Sequence, residues 1–181
     1  NVDRVKRIID HIRSFSRSQK IVSFDNVDIN TVINNSLLMV GTQFKDHGIT
    51  LSVSLKENMP MIVDDKYKLE QVVLNLLSNA RHAVDEKEEQ SNLFDYQKQI
   101  EVTTYDDEVN VYISIKDNGT GISQQNIDKI YDPFFTTKKE GQGTGLGLPI
   151  AYGFIKDILG DIKVDSVMGE YTNFTLVIPK S

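Results

Sequence analysis

The chain has 181 residues, of which 39% are hydrophobic and 25% are charged, as in an ordinary soluble globular domain. Its net charge of −6 argues against nucleic-acid binding, which requires a basic surface, but leaves room for a local anion site built from backbone N–H groups and a few lysines. The absence of cysteine excludes disulfides and thiolate metal sites. No stretch approaches about 18 consecutive apolar residues, so we expect no membrane contact by this chain.

Residues 1–22 have the pattern of a single amphipathic helix. Apolar residues recur there at spacings of three and four, at Val2, Val5, Ile8, Ile9, Ile12 and Phe15. Such a stripe needs an apolar partner, either the helix's own domain or the seam of a dimeric helical bundle. Because the sequence opens inside this pattern without a Met, we expect it to be a piece of a longer protein.

Residues 23–181 alternate between helical and strand patterns. The periodicity predicts, in chain order, a helix over 30–44, a strand over 49–55, a helix over 65–86, a hairpin of strands over 100–106 and 109–116, a helix opening near Pro149, and a strand over 172–179. Strands with one apolar face usually form a sheet that is covered on one side. Helices on that face give an α+β fold, a two-layer α/β sandwich.

The helix predicted over 65–86 carries a narrow polar stripe beside its apolar face, formed by Asn75, Asn79 and His82 at i, i+4 and i+7. Amide oxygens in a row suit Mg²⁺, which takes few protein ligands and the rest from water and phosphate. His82 is placed to face a phosphate. The alternative, a solvated helix face with an ordinary surface histidine, stays open on this segment alone.

The segment KDNGTGIS, residues 116–123, directly follows a predicted strand. Asp117 stands where the strand stops, and Gly119 and Gly121 form a tight turn. A carboxylate in this place can accept a hydrogen bond from an exocyclic amine, while the glycines leave room for a flat base. The alternative is a common Asn-Gly turn without a ligand.

The segment EGQGTGLGLPIA, residues 140–151, places glycine at every second position before a proline. It is not a P-loop, because no Gly-Lys-Ser/Thr follows at the required spacing. It is not a dinucleotide-binding fingerprint either, because the order is G-x-G-x-G and no predicted strand leads into it. Pro149 is tolerated only in the first turn of a helix, so the glycines open a helix whose first N–H groups are unpaired. That arrangement favours phosphate binding, and the alternative is a flexible glycine-rich loop.

In this order, the segments QVVLNLLSNARHAV (71–84), DNGTGI (117–122), DPFFTTK (132–138) and GTGLGLPIA (143–151) resemble the N, G1, F and G2 boxes of bacterial sensor histidine kinases. The resemblance covers roughly residues 24–180, the ATP-binding domain of that family. It implies the Bergerat-type fold shared with gyrase-type topoisomerases, ninety-kilodalton heat-shock chaperones and mismatch-repair ATPases, a mixed and mostly antiparallel sheet under helices. Those relatives usually carry a glutamate where Asn75 stands, so the boxes favour a kinase over an ATP hydrolase.

The resemblance also assigns two domains and a set of site residues. Residues 1–22 would be the second helix of the dimerisation and histidine-phosphotransfer hairpin, and 23–181 the ATP-binding catalytic domain. Asp117 would accept from the adenine amino group, and Asn79 would ligate Mg²⁺. The residues implied in ATP binding are Asn75, Asn79, His82, Asp117, Gly119, Gly121, Ile122, Thr137, Lys138, Gly143, Thr144, Gly145, Leu146, Gly147, Leu148 and Thr172. Residues 131–143 would form a mobile lid over ATP.

The implied function is transfer of the ATP γ-phosphate to a histidine on the dimerisation domain, within a homodimer, for relay to a response-regulator aspartate. The implied location is cytoplasmic, whether or not the full-length protein is membrane-anchored. A serine kinase of the anti-sigma class and a nucleotide-sensing module without transfer remain alternatives on the same fold. The amphipathic segment at residues 1–22 argues against the first of them.

Three positions depart from the family pattern. His11 lacks the acid and proline that accompany a phosphoaccepting histidine, so we expect the acceptor to lie outside this sequence and this chain alone not to autophosphorylate. Tyr171 stands where the family commonly has glycine, and we expect it to alter packing near the adenine. Asp161 replaces a second glycine, which we interpret as a harmless change in a turn.

Overall fold

The computed structural model describes residues 25–90, 95–138 and 143–180. The helix predicted over residues 1–22, with His11, lies outside the described residues, and so does part of the predicted lid, residues 139–142.

Four helices are described, α1 (Ile29–Asp46), α2 (Lys66–Gln90), α3 (Gln124–Ile127) and α4 (Gly147–Asp157). The Asp28 side chain caps α1 by accepting from the backbone N–H of Asn30 at 3.0 Å. The helices predicted over 30–44 and 65–86 are confirmed, although α2 continues to Gln90 through a polar stretch. Pro149 stands in the first turn of α4, as predicted.

The strands are β1 (Asp25–Val27), β2 (Thr50–Leu55), β3 (Ile62–Asp64), β4 (Gln99–Asp106), β5 (Asn110–Asp117), β6 (Asp161–Val167) and β7 (Tyr171–Pro179). Five of them form a sheet in the order β2-β4-β5-β7-β6, while β1 and β3 pair separately. The β2–β4 pair is parallel and the other pairs of the larger sheet are antiparallel. The predicted mixed, mostly antiparallel sheet and the hairpin of β4 with β5 are thereby confirmed.

The core lies between this sheet and the helices. The apolar stripe of α2 is buried, and α2 contacts α1 on one side and α4 on the other. Alternate residues of β4 and β5, such as Val102 and Ile113, supply the opposing apolar layer. This two-layer arrangement leaves the polar stripe of α2 uncovered by α1 and facing the end of β5 and the start of α4.

The prediction for β2 needs one correction. Its alternating pattern indicated a half-buried strand, but Val53 is 43% exposed because β2 lies at the edge of the sheet. The short strands β1 and β3 and the edge strand β6 were not predicted. Strand β6 does alternate in burial, but its inward side carries only two apolar residues, Ile162 and Val164, before Ser166. Within the described ranges, no helix combines the length and the apolar character needed to cross a bilayer.

Candidate functional site

A cleft of about 490 Å³ lies between α2, the end of β5, the start of α4 and the segment before it. Every site residue predicted from the sequence lines this cleft except Gly119 and Leu146. The residues that line it as predicted are Asn75, Asn79, His82, Asp117, Gly121, Ile122, Thr137, Lys138, Gly143, Thr144, Gly145, Gly147, Leu148 and Thr172. The fold therefore brings four separated parts of the sequence, 75–82, 117–122, 137–148 and Thr172, to one concave surface.

Asp117 is a buried carboxyl at the end of β5, with only 3% of its surface exposed. It pairs across the sheet with Thr172, and its Oδ1 accepts from the backbone N–H of Gly119 at 2.9 Å. Burial raises the pKa of Asp117 to about 7, although the Gly119 N–H and the Lys87 cation both act to lower it. A carboxyl group in this setting is suited to hydrogen-bonding one polar donor inside an otherwise apolar pocket.

Thr172 is also buried and belongs to a hydroxyl network behind the cleft. Ser166 Oγ donates to the Tyr171 carbonyl oxygen at 2.8 Å and accepts from the Ile122 N–H at 2.8 Å. It also lies 3.0 Å from Thr172 Oγ1, and because its own proton is used, the Thr172 hydroxyl is the donor of that contact. This network fixes the Thr172 side chain beside Asp117.

Tyr171 lies on the other face of β7 from Thr172. Its hydroxyl donates to Asp165 at 2.9 Å and its ring contacts the Lys116 ammonium. Tyr171 does not line the cleft. Strand alternation turns the Tyr171 side chain away from the site, so the structure gives no support to the expectation that it alters packing near a bound base.

The two glycines of the turn after β5 are required by contacts between protein segments. A Cβ on Gly119 would lie 2.5 Å from the carbonyl carbon of Ala83 in α2. Gly121 has φ +67°, and a Cβ there would lie 2.1 Å from the carbonyl oxygen of Val167. At Gly119 the close approach is to α2 and not to the cleft. This glycine is therefore required for packing between the turn and α2.

On the polar stripe of α2, Asn79 is paired with a lysine from the segment before α4. Lys138 Nζ donates to Asn79 Oδ1 at 3.1 Å. Burial, and then the charge of Arg81, lowers the pKa of Lys138 to about 8. The oxygen that would ligate a cation is thus held by this ammonium, which would have to move for Asn79 to bind a metal.

His82 has both ring nitrogens engaged. Its Nδ1 lies 2.6 Å from the Ser78 carbonyl oxygen, which can only accept, so Nδ1 carries a proton. Its Nε2 lies 3.2 Å from an Arg81 guanidinium nitrogen, which can only donate, so Nε2 is the acceptor. Burial is the largest cause of the lowered pKa of His82, and the Lys138 charge is the next. The imidazole is neutral in this arrangement, and it would have to release Arg81 or gain a proton to donate to a phosphate.

The start of α4 is held against the segment that precedes it. The Phe134 N–H donates to the Gly145 carbonyl oxygen at 2.8 Å, and a Cβ on Gly145 would lie 2.4 Å from the Phe134 carbonyl carbon. Gly145 and Phe134 both have positive φ, +65° and +68°. Helix α4 begins at Gly147, where first-turn N–H groups lack partners within the helix. Leu146 does not line the cleft, and its N–H is already directed to the Thr144 hydroxyl at 3.3 Å.

Further residues that line the cleft were not named as site residues from the sequence, although two of them, Phe135 and Thr136, belong to the predicted lid. They are Ser78, Ala83, Glu86, Thr120, Asn126, Ile130, Phe135, Thr136, Pro149 and Phe174. Glu86 lies one turn beyond His82, so extending the polar stripe by i+4 would have found it. Ile130 and Phe174 of the apolar wall have the sequence pattern of ordinary core residues and gave no separate signal.

The fold and the cleft together define an ATP-binding two-layer sandwich. Residues 64–181 match the profile of the family described as histidine kinase-, DNA gyrase B-, and HSP90-like ATPase. This match spans more than half of the chain, and the chain belongs to this family.

The similar curated proteins are sensor kinases. The chain is 33% identical over 177 residues to the sensor histidine kinase ZraS of Escherichia coli strain K12, covering 98% of this chain and 35% of that protein. It is also 33% identical over 178 residues to the signal transduction histidine-protein kinase AtoS of the same strain, covering 98% of this chain and 27% of AtoS. The chain thus spans roughly a third or less of the length of these relatives.

Solved structures show the same architecture. The catalytic domain of histidine kinase ThkA superposes with a TM-score of 0.74 at 28% identity, covering 87% of this chain and 95% of that chain. A structure of ThkA in complex with the response regulator protein TrrA gives a TM-score of 0.75 at 22% identity, covering 99% of this chain and 48% of that chain. The predicted fold class is confirmed by these matches.

Proposed function

We propose that the cleft binds Mg-ATP and that the chain is the catalytic part of a protein-histidine kinase. The observation that carries the proposal is one cleft lined both by a buried strand-end carboxyl, Asp117, and by a glycine-rich helix start with Lys138 beside it. Amino-group recognition and phosphate binding need these two kinds of group. The volume of about 490 Å³ lies within the range of typical small-molecule sites, roughly 300–1,000 Å³.

The contacts in the cleft support the following assignments. Asp117 would accept from the adenine amino group, with the Thr172 hydroxyl beside it. The apolar wall, including Ile130 and Phe174, would cover the base. Lys138 and the first N–H groups of α4 would hold the phosphates, because cations and unpaired helix N–H groups both favour anions. His82 would join them after its contact with Arg81 is released.

A magnesium ion would be held by Asn79 Oδ1 together with phosphate and water oxygens, with Asn75 beside it. In the structure Lys138 donates to that same oxygen. A phosphate competes well for the lysine, since an ammonium binds an anionic oxygen more strongly than a neutral amide oxygen. Its arrival would therefore free Asn79 for the metal.

The activity proposed for the whole protein is phosphoryl transfer. When bound, ATP supplies an activated γ-phosphoryl group, and catalysis of this reaction consists mostly of positioning and charge neutralisation. The acceptor would be a histidine nitrogen on a dimerisation domain of the longer protein, in a homodimer. The relay to a response-regulator aspartate is supported by the solved ThkA–TrrA complex, and we propose a cytoplasmic location for the chain.

The test is a transfer assay with labelled ATP, using the longer protein that contains this chain. We expect phosphate that is labile to acid and stable to base, as on a histidine, and its loss in Asp117→Asn. Acid-stable phosphate on a partner's serine would favour the anti-sigma class of kinase. Tight ATP binding with no transfer to any acceptor would favour a nucleotide-sensing module.

A further inference from the structure

Lys87, near the end of α2, reaches across to the turn that follows Asp117. Its Nζ donates to the Asn118 carbonyl oxygen at 2.7 Å and lies 3.4 Å from the Glu170 carbonyl oxygen. The same ammonium lies 5.0 Å from the centre of the Tyr96 ring. Lys87, Tyr96 and Asn118 do not line the cleft, so none of them would touch a ligand there.

Asn118 is held from a second direction by the chain before β4. The Tyr96 hydroxyl lies 3.0 Å from the Asn118 carbonyl oxygen and 3.1 Å from its Oδ1. The Asn118 side chain also donates to the Gln97 carbonyl oxygen at 2.8 Å and accepts from the Gln99 N–H at 2.9 Å. The residue directly after Asp117 is therefore fixed by α2 on one side and by residues 96–99 on the other.

The groups that face Asp117 come from four parts of the chain. Lys87 is the cation on α2 whose charge lowers the pKa of Asp117, and the Gly119 N–H and Thr172 backbone act in the same direction from the turn and β7. Tyr96 faces it from the chain before β4, where burial first, and then the charges of Asp117, Glu88 and Asp85, raise the pKa of the phenol. Tyr96 thus stays neutral, which leaves Lys87 as the cation that offsets the burial of Asp117 in the described part of the chain.

We propose that Lys87 is a positioning residue for the Asp117 carboxylate: it holds the turn at Asn118 and supplies a positive charge that favours the ionised form of Asp117. The role deepens the proposed function, on which it rests, because an ionised carboxylate is the stronger acceptor for the adenine amino group. Lys87 acts through Asp117 and its turn without itself contacting the nucleotide.

The first test needs no nucleotide. A ¹³C NMR titration of the Asp117 carboxyl in the whole chain compares wild type with Lys87→Gln, which keeps a hydrogen-bond donor but removes the charge, and with Lys87→Arg, which keeps the charge. An opposite charge at close range typically lowers a carboxyl pKa by about 1–3 units, so we expect Lys87→Gln to raise the pKa of Asp117 by about one unit or more. Lys87→Arg should stay near wild type, and so should Lys45→Met, which removes an exposed cation from α1.

The second test is the pH profile of ATP affinity by calorimetry. If the pKa of Asp117 rises from about 7 by about one unit, its ionised fraction at pH 7 falls from about a half to about a tenth. We therefore expect Lys87→Gln to bind ATP about fivefold more weakly at pH 7 and to approach wild-type affinity near pH 9. A purely structural loss would weaken binding equally at both pH values.

An unchanged carboxyl pKa in folded Lys87→Gln overturns the proposal, and so does a loss of affinity that is the same at every pH. If both Lys87→Gln and Lys87→Met fail to fold, Lys87 serves the fold in general and the proposal is also overturned. Failure of the wild-type chain to bind ATP, with the pKa of Asp117 still rising in Lys87→Gln, would instead contradict the proposed function while leaving the link between Lys87 and Asp117 in place.

Discussion

The side-chain nitrogen of Asn75 donates to the backbone carbonyl oxygen of Gly147 at 3.1 Å, across 72 residues of sequence. This contact fastens the middle of α2 to the first residue of α4. A Cβ on Gly147 would lie 3.5 Å from Asn75 Oδ1, so the two residues meet at close range. The helix start proposed to hold phosphate is therefore positioned by a side chain from the helix proposed to hold the metal.

Replacing Asn75 with alanine should loosen this junction. We expect Asn75→Ala to lower the free energy of unfolding by about 1 kcal/mol, the usual net contribution of one partly buried hydrogen bond. It should also weaken Mg-ATP binding, because α4 is no longer held at its start. Urea denaturation and calorimetry measure the two effects. Asn34→Ala, at an exposed position of α1, is the matched control, and equal effects of the two variants would show that the contact with Gly147 contributes nothing specific.

The turn after β5 should tolerate no side chain at Gly121. We expect Gly121→Ala to destabilise the fold by at least about 2 kcal/mol, since positive φ alone costs roughly 1–3 kcal/mol for a non-glycine residue and the new Cβ would collide with Val167. Gly41→Ala is the control, because that glycine lies inside α1 with open space around it. Alanine is the better helix former, so Gly41→Ala should stabilise by up to about 1 kcal/mol. Comparable urea midpoints for the two variants would contradict the packing described for the turn.

Stability should depend on pH through Asp117. Its pKa is about 7 in the folded chain against a usual value of 3.8, so between these values the folded state binds more protons than the unfolded state. The contribution of Asp117 to stability is thus full below about pH 4 and is lost as the pH rises through 7, with a slope of at most about 1.4 kcal/mol per pH unit. We expect the difference in unfolding free energy between wild type and Asp117→Asn to fall across this range. A flat difference in urea denaturation from pH 4 to pH 8 would mean that Asp117 titrates normally.

The proposed role of Asn79 as a magnesium ligand can be tested by replacing this residue. We expect Asn79→Ala to bind ATP with an affinity that no longer depends on Mg²⁺, because the amide oxygen proposed as the ligand is gone. Lys138→Met should behave differently: it removes a proposed phosphate contact but frees Asn79 Oδ1, so the Mg²⁺ dependence should persist while overall affinity falls. Titration of Mg²⁺ at fixed ATP separates the two variants, and an unaltered metal dependence in Asn79→Ala would remove this residue from the metal site.

Much of the fold could be predicted from the sequence because its elements are strongly periodic. The apolar stripe of α2 and the alternation in β4, β5 and β7 identified two layers and their contact faces. Strand β6 was not predicted, because the inward side of its alternation carries only two apolar residues, Ile162 and Val164, before Ser166. The exposure of Val53 could not be predicted either, because whether a strand lies at an edge depends on the order of the sheet.

The composition of the candidate site was easier to predict than its interactions. Glycines and polar residues at fixed spacing identified the segments that meet in the cleft. The sequence did not indicate that Gly119 packs against the backbone of Ala83 or that Lys138 donates to Asn79, because both contacts join distant segments through tertiary packing. It also did not indicate that Arg81 contacts its neighbour His82, because that contact depends on the rotamers of the two side chains. The contact of Lys87 was the hardest to predict, since Lys87 is linked to Asp117 only through the backbone of Asn118.

The most direct test of the central claim is calorimetric titration of Mg-ATP into the purified wild-type chain and into Asp117→Asn. The amide keeps the shape of the carboxyl group but offers only one acceptor oxygen and cannot be ionised, so we expect binding to wild type and none detectable to the variant, with both chains folded by circular dichroism. Near-wild-type affinity of Asp117→Asn for Mg-ATP would contradict the account of this cleft as an adenine-recognising ATP site.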